Sequence, residues 1–396
     1  MRPSDCRHAL RILHVTPYGG DAWGYGGIPR LSDAIARGLA ARGHEVTVCT
    51  TDACDAERRL GPSADAPPFA LRVFPNLSNR LAYNYQCFLP IGLGGYLKRH
   101  AAAFDVAHLH ACRNLPGVIA ARRMQEAGVP YVLAPNGTAP NLERRRAAKR
   151  VFDAVLGRRV IDGAAKVLAV TQAEHRQLTD LGIAAGRISI VPNPLSIEEF
   201  DPPPARASFR TCAGVDGALV VYLGKLTPRK RVDLLVRAFA DLRSSGATLV
   251  VAGNDMGGGA AARAAVDRLG VGGRTIFTGL LEGRARLELL ADADVVVYPS
   301  EHEIFGLVPL EALLAGTPVV VANDSGCGEV VAAMGGGLVV EGNAAALRSA
   351  IDHILAAPAH WRTAAAEAAR RIRSTCATDV VCAQLEELYR EMVAAG

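Results

Sequence analysis

The sequence predicts an α/β protein built as two doubly wound parallel sheets in tandem, and three observations predict it. At 396 residues the chain is longer than one hydrophobic core usually supports, so two domains are expected. Short apolar runs alternate with amphipathic helical stretches, the pattern of a parallel sheet covered by helices. That alternation pauses between Pro192 and Gly217, where Pro194, Pro202, Pro203 and Pro204 interrupt helix and strand alike, and then restarts. The expected division is residues 1–198, residues 199–375, and a C-terminal helix over 376–396 able to pack back on the first domain.

In the first half, Ile12-Leu13-His14-Val15 reads as the opening strand, and Ile28, Leu31, Ile35 and Leu39 follow at helical spacing. Gly43 caps that helix, and Glu45–Thr50 alternates as the next strand. Further strands are expected at Val106–His110, Tyr131–Ala134, Val167–Thr171 and Ile188–Val191. In the second half the strands are Leu219–Leu223, Thr248–Ala252, Thr275–Thr278, Val295–Tyr298 and Val319–Val321, with a helix carrying Val232, Leu235 and Phe239 after the first of them. Val381, Leu385, Leu388 and Met392 give the last helix an apolar face.

Composition narrows the function. Half of the residues are hydrophobic and 5% are aromatic, as in a helix-rich globular protein. The nine cysteines are scattered, odd in number and never spaced Cys-x-x-Cys, which argues against a disulfide framework or zinc site and fits a reducing cytoplasm. Met1–Arg11 lacks the apolar stretch of a signal peptide, and no apolar run approaches the roughly 20 residues that span a bilayer. The net charge of +5 is mild, and no nucleic-acid partner is expected from it. Much of the charge is local. Glu143-Arg144-Arg145-Arg146-Ala147-Ala148-Lys149-Arg150 runs into apolar Val151, Phe152, Val155 and Leu156, a segment suited to an anionic membrane surface or an anionic acceptor, or else to a solvated helix face.

The most informative segment runs from Tyr298 to Pro318, a loop between a strand and a helix with Glu303 in the loop and Glu311 inside the helix. In an α/β sheet this is where ligands bind, because free amides and the helix dipole favour phosphate. A carboxylate within the helix can accept a ribose diol while the one in the loop contacts a sugar, which matches the size of a nucleotide sugar. The segment resembles the Glu, seven residues, Glu signature of the retaining family 4 (group 1) glycosyltransferases, including the Pro-Ser before it and the Phe-Gly-Leu within it. That resemblance implies the GT-B fold, two facing Rossmann-like domains with a deep cleft between them. It gives Glu303 the transferred sugar, Glu311 the ribose, and the amides of Phe305, Gly306 and Leu307 the sugar and phosphates.

Three more segments match that family. Gly224-Lys225-Leu226-Thr227-Pro228-Arg229-Lys230-Arg231 resembles its Gly-Arg, four residues, Lys-Gly element, so Lys225 and Lys230 fall on the pyrophosphate-binding cations; Lys225 stands where Arg is usual and Arg231 where Gly is usual. Gly24-Tyr25-Gly26-Gly27-Ile28 resembles its glycine-rich loop facing donor phosphates and acceptor, which singles out Gly26 and Gly27. Asp105-Val106-Ala107-His108-Leu109-His110 resembles its Asp-Val-Val-His-x-His strand. Alternation puts both histidines on one face; the resemblance makes His110 the catalytic candidate near the transferred sugar and leaves His108 structural. Ala134-Pro135-Asn136-Gly137-Thr138 resembles its Pro-His-Gly-Thr, with Asn136 in place of His.

The sequence offers one Asp-x-Asp, Asp292-Ala293-Asp294, which reads as a helix end and strand start, so no metal and no other cofactor is expected. By the resemblance the protein is a retaining hexosyltransferase that takes a UDP or GDP sugar to a glycan, lipid-linked or small-molecule acceptor in cell-surface polysaccharide or glycolipid synthesis. Its leaving diphosphate would help deprotonate the acceptor, with the enzyme in the cytoplasm and in peripheral contact with the inner face of the membrane. The rival readings are a sugar phosphorylase or nucleotide-sugar epimerase of the same fold, and a non-catalytic nucleotide-sugar binder.

Overall fold

The structure, a computed structural model, describes residues 8–20, 22, 25, 27–55, 57–61, 66–140, 150–324 and 326–395. The chain divides into two compact units. One contains Met1–Val170, Glu174–Pro194 and Thr378–Gly396; the other contains Thr171–Ala173 and Leu195–Ala377.

The first unit holds a parallel sheet of β1 (Arg11–Val15), β2 (Glu45–Thr51), β3 (Ala70–Phe74), β4 (Val106–His110), β5 (Tyr131–Ala134), β6 (Lys166–Ala169) and β7 (Ile188–Ile190). Their order is β3-β2-β1-β4-β5-β6-β7, so the winding direction reverses between β1 and β4. The central strands read as unbroken apolar runs because both faces are buried. Leu13, Val15, Ala107, Leu109 and Leu133 face one core, while Ile12, Val46, Val48, Val106 and Val132 face the other. The second of these cores is closed by Leu31, Ile35 and Leu39 of helix Gly27–Ala41 and by Val381, Leu385, Leu388 and Met392 of helix Thr378–Ala395. Arg42 and Arg390 both pair with the nearly buried Glu386 there, at 2.8 and 2.9 Å.

The second unit repeats the plan with β8 (Leu219–Leu223), β9 (Thr248–Ala252), β10 (Thr275–Gly279), β11 (Val295–Tyr298), β12 (Val319–Ala322) and β13 (Gly337–Val340), ordered β10-β9-β8-β11-β12-β13. Its reversal lies between β8 and β11, whose pairing brings Val220 beside Val295.

Two strands escape the sequence reading for physical reasons. β3 (Ala-Leu-Arg-Val-Phe) is an edge strand whose residues are mostly exposed, so its apolar residues do not alternate with polar ones as those of a half-buried strand would, and β13 is only half buried. The proline-rich stretch after Pro192 is not structureless either. It carries a 3-10 turn at Ile197–Phe200 and a short helix, Ser208–Ala213, whose first turn is held by Asp292.

Candidate functional site

Because β8 and β11 are neighbours, the loops leaving their carboxyl ends lie side by side at the reversal point of the second unit. Backbone bonds tie them together: the Glu301 amide donates to the Arg229 carbonyl at 2.8 Å, and the Arg229 guanidinium donates to the His302 carbonyl at 3.2 Å. The His302 amide donates to Asp324 at 2.6 Å. Gly253, after β9, is obligatory, since a Cβ there would lie 1.9 Å from the Gly224 carbonyl oxygen.

Lys230 and Glu303 meet at the centre of this pair of loops. The Lys230 ammonium is ion-paired with the Glu303 carboxylate, donates to the Tyr298 hydroxyl at 2.5 Å and sits 4.5 Å over the Tyr298 ring. Ser300 donates to the same carboxylate at 3.3 Å. The side chains are only 8% and 20% exposed, so this is a largely dehydrated charge pair. Burial works to raise the Glu303 carboxyl, but the charge and hydrogen bond of Lys230, with Arg229 and Ser300, outweigh it and leave the group below the usual carboxylate range. Glu303 is therefore an anion held by a cation, fit for electrostatic work rather than for proton donation. Lys225, half buried, has its carbonyl fixed by the Tyr222 hydroxyl at 2.9 Å.

Ile304 and Phe305 turn into the core, so the Phe305 side chain is structural and only its backbone is available to a ligand. Gly306 has φ 77°, and a Cβ there would strike the Cys327 sulfur at 2.4 Å. No side chain caps the helix Leu307–Leu314 that follows, which leaves its first amides for an anion. Glu311, in that helix, is 2% exposed, with its carboxylate 2.6 Å from the Arg286 guanidinium. Arg286, itself buried, also pairs with Glu199. No motif surrounds Arg286, one of two arginines on helix Gly283–Asp292, so local pattern does not single it out.

Arg231, the residue that stands in a glycine position, has φ 49° and ψ 39°, the left-handed conformation that glycine adopts without strain. Its side chain is ion-paired with Glu301 and lies 3.7 Å from Asp233.

In the first unit Gly27 opens helix Gly27–Ala41, while Gly26 lies outside the described residues. Tyr18 stacks on Tyr25, two residues before Gly27, at 4.9 Å, with Phe88 edge-on to Tyr18 at 5.4 Å. His110 and His108 share a face with His14, and all three are buried. The rings are nearly parallel, with centroids 4.3 to 5.3 Å apart. His14 Nδ1 and His110 Nε2 are hydrogen-bonded at 3.0 Å, and His108 Nδ1 bonds the Tyr389 hydroxyl at 2.6 Å. Burial drives the His110 pKa down to about 3 and lowers those of His14 and His108 well below the usual imidazole range, so the stack is uncharged.

Asn136 has φ 50°, and the Gly137 amide beside it donates to the buried Glu174 at 2.6 Å. Burial pushes the Glu174 carboxyl up to about 7 against two backbone donors. Most of the basic segment from Glu143 falls outside the described residues; Arg150, Val151 and Val155 beyond it are exposed.

Among the described residues His14, His108 and His110 form the group whose ligand atoms come within 4.8 Å of one another. Their near-parallel rings send lone pairs along separate planes rather than to one point, a poor cage for a metal. Asp292 accepts from the Arg210 amide at 3.0 Å, and Asp294 accepts from the Leu219 amide at 2.8 Å and pairs with Arg210 and Arg362, so both carboxylates are already committed.

Residues 209–372 match the family model described as "Glycosyl transferases group 1", and residues 26–194 match the "Glycosyl transferase 4-like domain". The D-inositol 3-phosphate glycosyltransferase of Acidothermus cellulolyticus is 33% identical over 367 residues, 85% of this chain and 80% of that one. Its counterpart from Kineococcus radiotolerans is 32% identical over 415 residues, 92% and 91% of the two chains. Among solved structures, sucrose-phosphate synthase from Thermosynechococcus elongatus superposes with a TM-score of 0.78 at 23% identity, covering 97% of this chain and 99% of that one. HepE from Anabaena, in complex with UDP and glucose, gives 0.75 at 20% identity, covering 96% and 100%. These two share the GT-B architecture with this chain.

Proposed function

The chain belongs to the group 1, family 4 glycosyltransferases, and from that premise we propose that it moves a sugar from a nucleoside-diphosphate sugar, UDP or GDP, to an acceptor hydroxyl with retention of anomeric configuration and without a metal. The observation that carries the reading is the Lys230–Glu303 pair, a largely dehydrated ion pair on the loop that leads into an uncapped helix. Lys225, Lys230 and the amides of Phe305, Gly306 and Leu307 receive the diphosphate and balance its charge as it leaves. Glu303 stabilises positive charge developing on the sugar ring, and the departing diphosphate takes the acceptor proton on the same face, so no protein nucleophile is needed. Glu311, fixed by Arg286, accepts from the ribose. Gly26, Gly27 and His110 belong to the acceptor side.

The acceptor is a glycan, a lipid-linked sugar or a small molecule in cell-surface polysaccharide or glycolipid synthesis, reached by a cytoplasmic enzyme in peripheral contact with the inner membrane face. The names of the curated relatives make D-inositol 3-phosphate the first small acceptor to assay, and the ligands of HepE make UDP-glucose the first donor.

Thermal shift and calorimetry against UDP, GDP, ADP and their sugars, in EDTA, test the donor site. One nucleotide should stabilise the protein by about 2.7 kcal/mol at a hundredfold excess over its Kd, with most of that gain lost in Glu311→Gln. No response in EDTA that returns with Mg²⁺ refutes metal independence, an inverted anomer by NMR refutes retention, and unchanged affinity in Glu311→Gln refutes its ribose role.

A further inference from the structure

Six of the thirteen exposed large apolar side chains among the described residues fall between Leu71 and Ile91. Four of them belong to one excursion of the first unit. Its two ends run antiparallel, with the Ile91 amide donating to the Pro75 carbonyl at 2.9 Å, the Leu77 amide to the Leu89 carbonyl at 3.1 Å, and Asn76 bridged to Pro90. At its tip sits the helix Asn79–Tyr85, capped by Ser78.

The excursion has two distinct faces. Ala82 and Phe88 turn inward and join Tyr18, Ala22, Tyr25 and Ala53 in a small core of their own. Leu77 is 63% exposed, Leu81 41%, Tyr85 56% and Ile91 56%. Leu81 and Tyr85 are one helical turn apart on the same side. Leu77 and Ile91 project to the side of the ribbon opposite the buried Asn76. Outward apolar side chains over a packed inner face are what a docking surface requires.

The charge around it selects the partner. From Ala66 to Phe104 the sequence contains no Asp or Glu, yet it carries Arg72, Arg80, Lys98 and Arg99. The neighbouring acids Asp52 and Asp55 are already paired with Arg59 and Arg58. Exposed leucine, isoleucine and tyrosine on a stretch whose acidic and basic side chains are all cations match the interface of an anionic bilayer, where apolar side chains enter the acyl boundary and cations meet phosphate. A second copy of this chain would have to bring these same cations face to face.

We propose that Pro75–Ile91 is the surface by which this protein docks on an anionic lipid bilayer, with the inner face of the same excursion packed on Tyr18 and Tyr25. This sharpens the membrane contact proposed above, and its test reads lipid binding alone, so it stands or falls apart from glycosyl transfer. The probe is co-sedimentation with vesicles of phosphatidylcholine, with and without phosphatidylglycerol, at low and high salt. Binding should need phosphatidylglycerol and weaken with salt. The triple variant Leu77→Asp/Leu81→Asp/Ile91→Asp should lose it at least about tenfold at unchanged circular dichroism, and Arg72→Glu/Arg80→Glu should reduce the lipid preference without touching the apolar face. Val151→Asp/Val155→Asp should bind as the wild type. The proposal is overturned if the wild type does not bind, if binding ignores phosphatidylglycerol, or if the Val151/Val155 variant loses binding while the triple variant keeps it. It is also overturned if gel filtration shows a wild-type dimer that the triple variant disperses while neither sediments with vesicles.

Discussion

The two sheets reverse direction in the same way but bury opposite kinds of polar group near the reversal. Beside β1 and β4 lie three stacked histidines that burial has stripped of charge. Beside β8 and β11 lie Lys230–Glu303 and Arg286–Glu311, where charges persist because each has a partner within reach. An imidazole can escape the cost of dehydration by staying neutral at pH 7. An ammonium or guanidinium cannot do so cheaply, and it keeps its carboxylate ionised in turn. The difference teaches that burial alone does not set charge; the availability of a neutral form does.

Acid should break this symmetry most strongly. Each imidazole of the stack is protonated in the unfolded chain below its ordinary value of about 6.5 but stays neutral in the fold. Its contribution is therefore complete above that pH and is lost as pH falls below it, at about 1.4 kcal/mol per pH unit for each ring still neutral. Protection factors from hydrogen exchange in β1 and β4 should fall from pH 7 to pH 5, while those in β8 and β11 hold. Equal loss in both sheets would show that the histidines are already charged or already exposed.

The next largest effect is expected from the charged pair. Lys230→Met strands the Glu303 carboxylate in a mostly dry site, which should cost about 3 kcal/mol of stability and lower turnover at least a hundredfold. The double variant Lys230→Met/Glu303→Gln removes the stranded charge. Its melting temperature should recover most of the loss while turnover stays low. Recovery of activity along with stability would mean that the pair is a structural strut and not part of the donor site.

These contrasts also mark what the sequence could reveal. Glu303 and Glu311 sit at a fixed spacing on one strand–loop–helix and Lys230 in the loop after another strand, so local pattern announces them, as it announces the central strands through their unbroken apolar runs. The stack was legible only in part. Alternation placed His108 and His110 on one face, but bringing His14 and Tyr389 to them depends on β1 pairing with β4 and on helix Thr378–Ala395 returning across the chain. Arg286 was invisible for the same reason: its partners Glu311 and Glu199 are distant in sequence. β3 went unread because its exposed faces impose neither the alternation of a half-buried strand nor the unbroken apolar run of a central one.

The smallest effect is expected at Arg231, where one residue carries two opposing terms. Its left-handed backbone costs about 1 kcal/mol relative to glycine, and its ion pairs with Glu301 and Asp233, made by a side chain 29% exposed, return about 0–1 kcal/mol. Arg231→Gly should thus leave the melting temperature within a degree or two, whereas Arg231→Ala, which keeps the strained backbone and loses the pairs, should be the less stable of the two. Because Glu301 flanks the loop that carries Glu303, the glycine variant also frees that loop's outer edge while leaving Lys230 in place. An unchanged Kd for the nucleoside diphosphate in Arg231→Gly would assign the ordering of the loop to Lys230 and the backbone bonds between Arg229 and residues 301–302; a weakened one would make Arg231 a functional substitute for the flexibility that glycine gives at this turn.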